Sequence, residues 1–350
     1  MILEKTAKIG IGTMGIGGYF TRDTSHDAFH IQVLRKSIDA GMTFIDTAEL
    51  YGEGHAEELI AEMITVQDVD GIRDKVFIAS KVAPEHLRYD DVIKSAEGSL
   101  RRLRTQYIDL YQIHWPNPAV NVRETLSAMR YLMGVGKVKH VGVCNFSLRE
   151  LKIAKELANE MGFDIVSNQV EYNLFNRTIE DDLLPYCQKN DITVIAYSPL
   201  DKGNLKKYKE LEPIARTYNK TVAQLILAWI VSHNNVMAIV KSEYHIADNA
   251  SADFELRKED IEFINNTYKT TVLEIPANKI LVCSDGLNKY IPRIPQLAQS
   301  ILEGTILKPI RVQHIGKGNG IYKLIEGKAR YWAHVHALGK KAVIRALVGD

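Results

Sequence analysis

Four ionisable side chains define the chemistry to look for: Asp46, Tyr51, Lys81 and His114. Asp46 ends the short run begun by Phe44 and Ile45, and Tyr51 follows five positions later in a glycine-containing loop that opens a helix. Lys81 closes the run Val76 to Ser80, and His114 closes the run Tyr107 to Ile113. A phenol, with an ordinary pKa of about 10, becomes a usable acid when a neighbouring cation stabilises its phenolate. Lys81 is the candidate cation, and a carboxylate at Asp46 would keep a buried ammonium charged. His114 would donate or relay a hydrogen bond that orients the reacting oxygen. Carbonyl reduction needs such an acid, with a hydride donor beside it.

These residues can meet only if several strand ends lie together. Apolar residues at helical spacing fill Asp27 to Ala40, which ends at Gly41, a helix-stop signal. The pattern then alternates: helix His55 to Ile64, strand Val76 to Ser80, helix Tyr89 to Leu103, strand Tyr107 to Ile113, helix Arg123 to Met133, strand Val138 to Val143. It continues through helix Leu148 to Met161, strand Ile165 to Val170, helix Ile179 to Gln188, strand Ile192 to Ala196, helix Val222 to Ser232 and strand Val236 to Val240. With Ile9 to Thr13 first, this predicts an α/β fold, an eight-stranded (β/α)8 TIM barrel. Such barrels carry their chemistry at the carboxyl ends of the strands.

The segment Gly10-Ile11-Gly12-Thr13-Met14-Gly15 contains a GxGxxG string. A doubly wound dinucleotide fold requires the third glycine to open a helix at once and an acidic residue about 20 positions on. Gly17-Gly18-Tyr19-Phe20 instead continues as loop, so the glycines read as room for a close neighbour on a barrel strand.

With 46% hydrophobic and 25% charged residues, the composition is that of an ordinary globular protein. There is no apolar run of about 18 residues and no signal-like start, so no membrane association is expected. Cys144, Cys187 and Cys283 form neither a CxxC pair nor a disulfide framework, which suits a cytoplasmic location. No GxSxG nucleophile motif occurs, and His26, His30 and His55 lack metal-site spacing.

The string Asp46-x4-Tyr51-Gly52, Lys81, Gln112-Ile113-His114-Trp115, Val141-Gly142-Val143-Cys144-Asn145-Phe146 and Asn168-Gln169-Val170-Glu171-Tyr172 resembles the aldo-keto reductase family in content, order and spacing. The resemblance covers residues 1–271. It implies that Tyr51 is the general acid of an aldehyde or ketone reduction, assisted by Lys81, Asp46 and His114, with NADP(H) as cofactor and NAD(H) as the second candidate. It assigns Asn145 and Gln169 to the nicotinamide carboxamide, Tyr197 to the nicotinamide ring, and Ser198 and Leu200 to the pyrophosphate path. Lys241 and Ser242 fall at the adenosine 2′-phosphate and Asn249 near the adenine. Two departures stand out: Cys144 replaces the family's usual serine, and the segment Lys241 to Asn249 is shortened and lacks the arginine that commonly grips the 2′-phosphate. Tyr19 and Trp115 are the candidates for lining a pocket for a small carbonyl substrate.

From about Val272 the βα alternation stops and the charge changes. Glu274 to Asp350 holds 12 Lys and Arg against 5 Asp and Glu, a net of +7, which leaves the preceding 273 residues at 32 against 38, a net of −6. Residues 272–350 read as a small α+β domain: helix Pro295 to Glu303, strands around Lys308 to Val312 and Ile321 to Ile325 joined at Gly316 to Gly320, a helix ending at Leu338 and a strand Ala342 to Val348. The run Pro309-Ile310, hairpin, Glu326-Gly327-x-x-Arg330, helix, Leu338-Gly339 resembles ParB/sulfiredoxin-type domains. That implies an anion or nucleotide site at Gly327 and Arg330, and the positive charge adds DNA as a candidate partner. A second functional expectation therefore stands beside the reductase: a nucleotide- or DNA-binding regulator that uses the barrel as redox sensor or scaffold.

Overall fold

Eight strands alternate with helices along the first part of the chain: β1 (Ile9–Gly12), β2 (Phe44–Asp46), β3 (Phe77–Val82), β4 (Ile108–Ile113), β5 (Val138–Cys144), β6 (Ile165–Glu171), β7 (Thr193–Tyr197) and β8 (Val236–Val240). The computed structural model describes residues 6–65, 71–241, 243–268, 272–282, 294–304, 307–315 and 320–349. In it the strands close in sequence order into a parallel barrel, with β8 returning to β1. The first two glycines of the string therefore belong to a barrel strand, and Gly15 lies in the loop after it. A Cβ on Gly10 would lie 2.8 Å from Phe44 Cδ1, so glycine there makes room for a ring inside the barrel.

Side-chain alternation sorts each strand into an inner and an outer face. Phe44, Phe77, Ala79, Leu110, Ile195, Met237 and Ile239 fill the interior. The alternate positions Ile45, Ile78, Tyr111 and Ile113 join the larger core under the helices, with Leu34, Leu59, Leu126 and Leu225. Burying each such aliphatic side chain stabilises the fold by about 1.5–3 kcal/mol. The parity that puts Phe44, Ala79 and Leu110 inside carries over two residues to Asp46 and Lys81, and by a further step of two through Gln112 to His114. The catalytic candidates thus sit on top of an apolar plug.

Sequence chemistry starts the helices where capping is needed. Ser147 and Glu150 form a capping box at Leu148–Glu160, as do Thr221 and Gln224 at Val222–Val231. Most boundaries shift by a residue or two from expectation, and two differences bear on the site and its support. β3 runs on to Val82, so Lys81 lies within the ladder opposite Gln112. The helix expected from Ile179 starts at Leu183, after a 3-10 turn at Thr178–Glu180, where Glu180 takes the Arg177 guanidinium and the Tyr172 hydroxyl.

The chain forms two compact units, Met1–Tyr268 and Lys269–Asp350. The second unit is a five-stranded mixed sheet of β9 (Val272–Pro276), β10 (Ile280–Leu281), β11 (Ile310–His314), β12 (Tyr322–Glu326) and β13 (Val343–Gly349), in the order β10-β12-β11-β13-β9. Helices Ile294–Leu302 and Lys328–Leu338 pack on each other. β11 and β12 pair antiparallel as expected, although residues 316–319 of their turn lie outside the described residues. Its core comprises Ile275, Ile310, Val312, Tyr322, Leu324, Tyr331 and Ile344. Among the described residues no helix is long and apolar enough to cross a membrane.

Candidate active site

The strand ends bring Asp46, Tyr51, Lys81 and His114 together. Lys81 Nζ donates to Asp46 Oδ2 at 2.7 Å, to the Thr47 carbonyl at 2.9 Å and to the Tyr51 hydroxyl at 3.3 Å. Lys81 is fully buried and Asp46 is 2% exposed, so the ion pair is dry. Tyr51 reaches the lysine because the chain after β2 turns through Gly52, whose φ of 57° is left-handed. A Cβ there would lie 2.2 Å from the Gly17 carbonyl oxygen, which makes glycine a requirement of the turn. The Tyr51 ring meets the His114 ring edge to face at 5.7 Å, and Trp115 stacks on His114 with centroids 3.8 Å apart.

Electrostatics follow from this burial. Desolvation pushes the Tyr51 phenol up to about 12; Lys81 opposes that shift and the Asp46 charge adds to it. Desolvation also works against the Lys81 ammonium, but Asp46 and Tyr51 outweigh it and hold the lysine above its ordinary value. Tyr51 is thus a protonated phenol beside a permanent cation.

Around this pair lie the residues assigned to a cofactor. Asn145, in a left-handed conformation at φ 63°, donates from Nδ2 to the His114 carbonyl at 3.1 Å and accepts from the Tyr197 hydroxyl at 2.9 Å. Gln169 Nε2 donates to Asp46 Oδ1 at 2.7 Å. Sequence marks Gln169 only through the family resemblance, and nothing in the string of letters signals a bond between residues 123 positions apart. Ser198 is also left-handed, and its carbonyl accepts from Asn173 Nδ2 at 3.0 Å, while Leu200 packs against the main core. Ser242 lies outside the described residues.

A dinucleotide fits this donor set on two observations. Asn249 Oδ1 is buried without a hydrogen-bond partner, an acceptor suited to an exocyclic amine. At Gly15 a Cβ would fall 2.8 Å from Lys241 Nζ and 3.2 Å from Tyr19 Cζ, so glycine there makes room for both side chains, and the ammonium stays partly exposed just after β8. Lys241 Nζ also lies 3.5 Å from Glu243 Oε1 and 5.2 Å from the Tyr19 ring centroid. Tyr19 is 58% exposed. Glu243 has no counterpart among the residues the sequence singles out; its place two positions after Lys241 is the only signal available.

In the second unit, Gly327 takes φ 102° at the start of helix Lys328–Leu338. Arg330 Nη1 donates to the carbonyls of Lys308 at 2.8 Å and Pro309 at 2.6 Å, tying the helix to the segment that leads into β11. A Cβ on Gly327 would fall 2.8 Å from Ile310 Cγ2. Both residues thus hold the helix to the sheet.

Residues 8–269 match the Aldo/keto reductase family. The methylglyoxal reductase YeaE of Escherichia coli is 37% identical over 276 residues, 76% of this chain and 94% of that protein. Among solved structures, the thermostable aldo-keto reductase Tm1743 in complex with the inhibitor epalrestat superposes with a TM-score of 0.70 at 43% identity, over 74% of this chain and 94% of that one. An aldo/keto reductase from Klebsiella pneumoniae in complex with NADP and acetate gives 0.68 at 36% identity, over 75% and 92%.

Proposed function

The chain belongs to the aldo/keto reductase family, and on that premise we propose that its barrel reduces small reactive aldehydes of the methylglyoxal type with NADPH, Tyr51 donating the proton. The observation that carries the proposal is the dry chain from Asp46 through Lys81 to the Tyr51 hydroxyl, 2.7 and 3.3 Å long. Relatives named a methylglyoxal reductase and a glyoxal reductase, and neighbours crystallised with NADP or NADPH, support the substrate class and the cofactor.

Bound at this site, NADPH supplies the hydride. The residues of the chain supply everything else. Asn145 and Gln169 would offer an amide donor and acceptor to the nicotinamide carboxamide, Tyr197 would offer a ring face, Ser198 and Leu200 would line the pyrophosphate path, Lys241 and Ser242 would receive the 2′-phosphate, and Asn249 would receive the adenine. The substrate carbonyl oxygen sits between the Tyr51 hydroxyl and His114, beside Trp115. As charge develops on that oxygen, the two polar groups stabilise it in a site shielded from water. Tyr51 then passes its proton to the oxygen, and Lys81 compensates the phenolate that remains. Asp46 keeps the lysine charged throughout.

The test is steady-state oxidation of NADPH with methylglyoxal as acceptor. Turnover that saturates in both reactants is expected; NADPH binding with no turnover of any aldehyde would remove the assignment.

The direction of the Tyr51 shift determines the pH behaviour. Reduction requires the protonated phenol, and that form persists until the pH approaches about 12. The reduction rate at saturation should therefore stay level from about pH 6 to about pH 9, while alcohol oxidation, which needs the phenolate, rises about tenfold per pH unit. A reduction rate that titrates away near neutrality would mean that another group is the acid.

Cofactor preference is expected to depend on Glu243. Its carboxylate shares Lys241 with any incoming 2′-phosphate and repels that phosphate directly. Glu243→Gln should tighten NADPH binding about fivefold, a like-charge effect of about 1 kcal/mol, and leave NADH affinity nearly unchanged. Fluorescence titration of both cofactors measures this; equal gains for the two would place the effect outside the phosphate site.

A further inference from the structure

Gln169, on β6, is 2% exposed, and its surroundings fix the orientation of its amide. An ionised carboxylate only accepts hydrogen bonds, so the amide nitrogen must face Asp46. The oxygen Oε1 is thereby turned toward Cys144, whose thiol donates to it across 3.7 Å. The same sulfur accepts from Asn145 Nδ2 at 3.1 Å, and Asn145 Oδ1 accepts from the Tyr197 hydroxyl. A continuous line of contacts therefore runs from Tyr197 through Asn145, Cys144 and Gln169 to Asp46 Oδ1. Lys81 occupies the other oxygen of the same carboxylate.

We propose that Gln169 is a positioning residue for the proton donor: it holds Asp46 Oδ1, so that Oδ2 stays on Lys81, and it couples the nicotinamide end of the site to the charge balance at Tyr51. The proposal rests on the reductase reading above. The charged and titratable groups facing the Tyr51 hydroxyl are Lys81 from β3, Asp46 from β2, His114 after β4 and Cys144 from β5. Asp46 acts on the phenol through Lys81, and two anchors hold that carboxylate in place. Without the Gln169 donor, one anchor remains and Asp46 is free to turn about its side-chain bonds, so the ammonium is held less firmly against the phenol. A thiol is a weak donor, which leaves Gln169 Oε1 well suited to accept from a carboxamide NH2 on a bound cofactor. Engaging Oε1 would fix the amide further and tighten its hold on Asp46.

Gln169→Met, which keeps the length of the side chain and removes its hydrogen bonds, tests this. The variant is expected to weaken NADPH binding in a fluorescence titration, to lower kcat at saturating NADPH by about tenfold, and to displace the alkaline limb of alcohol oxidation. A Gln169→Met enzyme with weakened NADPH binding but wild-type saturated kcat and pH profile would overturn the proposal. A second readout needs no turnover. In NADPH-free protein, one Gln169 side-chain amide proton should resonate downfield, as a proton on a carboxylate does, and Asp46→Asn should move it upfield. A Gln169 signal insensitive to Asp46→Asn overturns the proposal, whereas wild-type protein that binds NADPH but reduces no carbonyl refutes the reductase reading instead.

Discussion

Replacing Tyr51 with phenylalanine is expected to lower methylglyoxal turnover by about a thousandfold, the middle of the range for losing a positioned general acid. NADPH affinity should stay within about twofold of wild type, since Tyr51 is the acid and is not among the residues assigned to the cofactor. The ring should remain where it is. It is 5% exposed, packed edge to face on His114, with the Lys81 ammonium 4.9 Å from its centroid. Only the hydroxyl is lost, and Lys81 keeps Asp46 and the Thr47 carbonyl. Single-turnover rates beside equilibrium NADPH titration separate the two effects. Wild-type turnover in the variant would exclude Tyr51 as the acid, and a parallel collapse of cofactor binding would mean that the ring has a structural role as well.

Lys81→Met tests the other half of the pair, and its largest effect should be on stability. The substitution leaves the Asp46 carboxylate 2% exposed without its cation, with the Gln169 amide as its remaining side-chain donor. Removing one partner of a buried ion pair costs about 3–5 kcal/mol, which for a barrel of this size lowers Tm by about 10 °C. Most of that cost belongs to the abandoned charge. The double variant Asp46→Asn with Lys81→Met should therefore regain most of the lost stability while remaining catalytically dead, since the phenol no longer has a cation beside it. Chemical denaturation of the wild type, the single variant and the double variant gives the comparison. A double variant no more stable than Lys81→Met would mean that the loss comes from packing of the lysine stem instead.

These effects separate what was legible in the sequence from what was not. The apolar runs at Phe44, Val76, Tyr107 and Val236, spaced by helical segments, predict the barrel, and their ends name Asp46, Lys81 and His114. The departures are local. β3 extends past Lys81 because its neighbour strand offers Gln112 and Ile113 as ladder partners, and the helix expected from Ile179 starts late because Arg177 and Tyr172 hold Glu180 in a 3-10 turn. Neither cause is visible in apolar periodicity, since one depends on a neighbouring strand and the other on polar side-chain bonds to Glu180.

By itself, the sequence determined the α/β alternation, the barrel, the family and the identity of four catalytic candidates. It could do so because side-chain parity along a strand and the order of motifs are one-dimensional properties. Only the tertiary structure decided which groups share a proton or a charge. Gln169 reaches Asp46 in the barrel, and in the second unit Arg330 spends donors on the carbonyls of Lys308 and Pro309. Hydrogen bonds and ion pairs act over a few ångströms, and folding sets those distances between residues far apart along the chain.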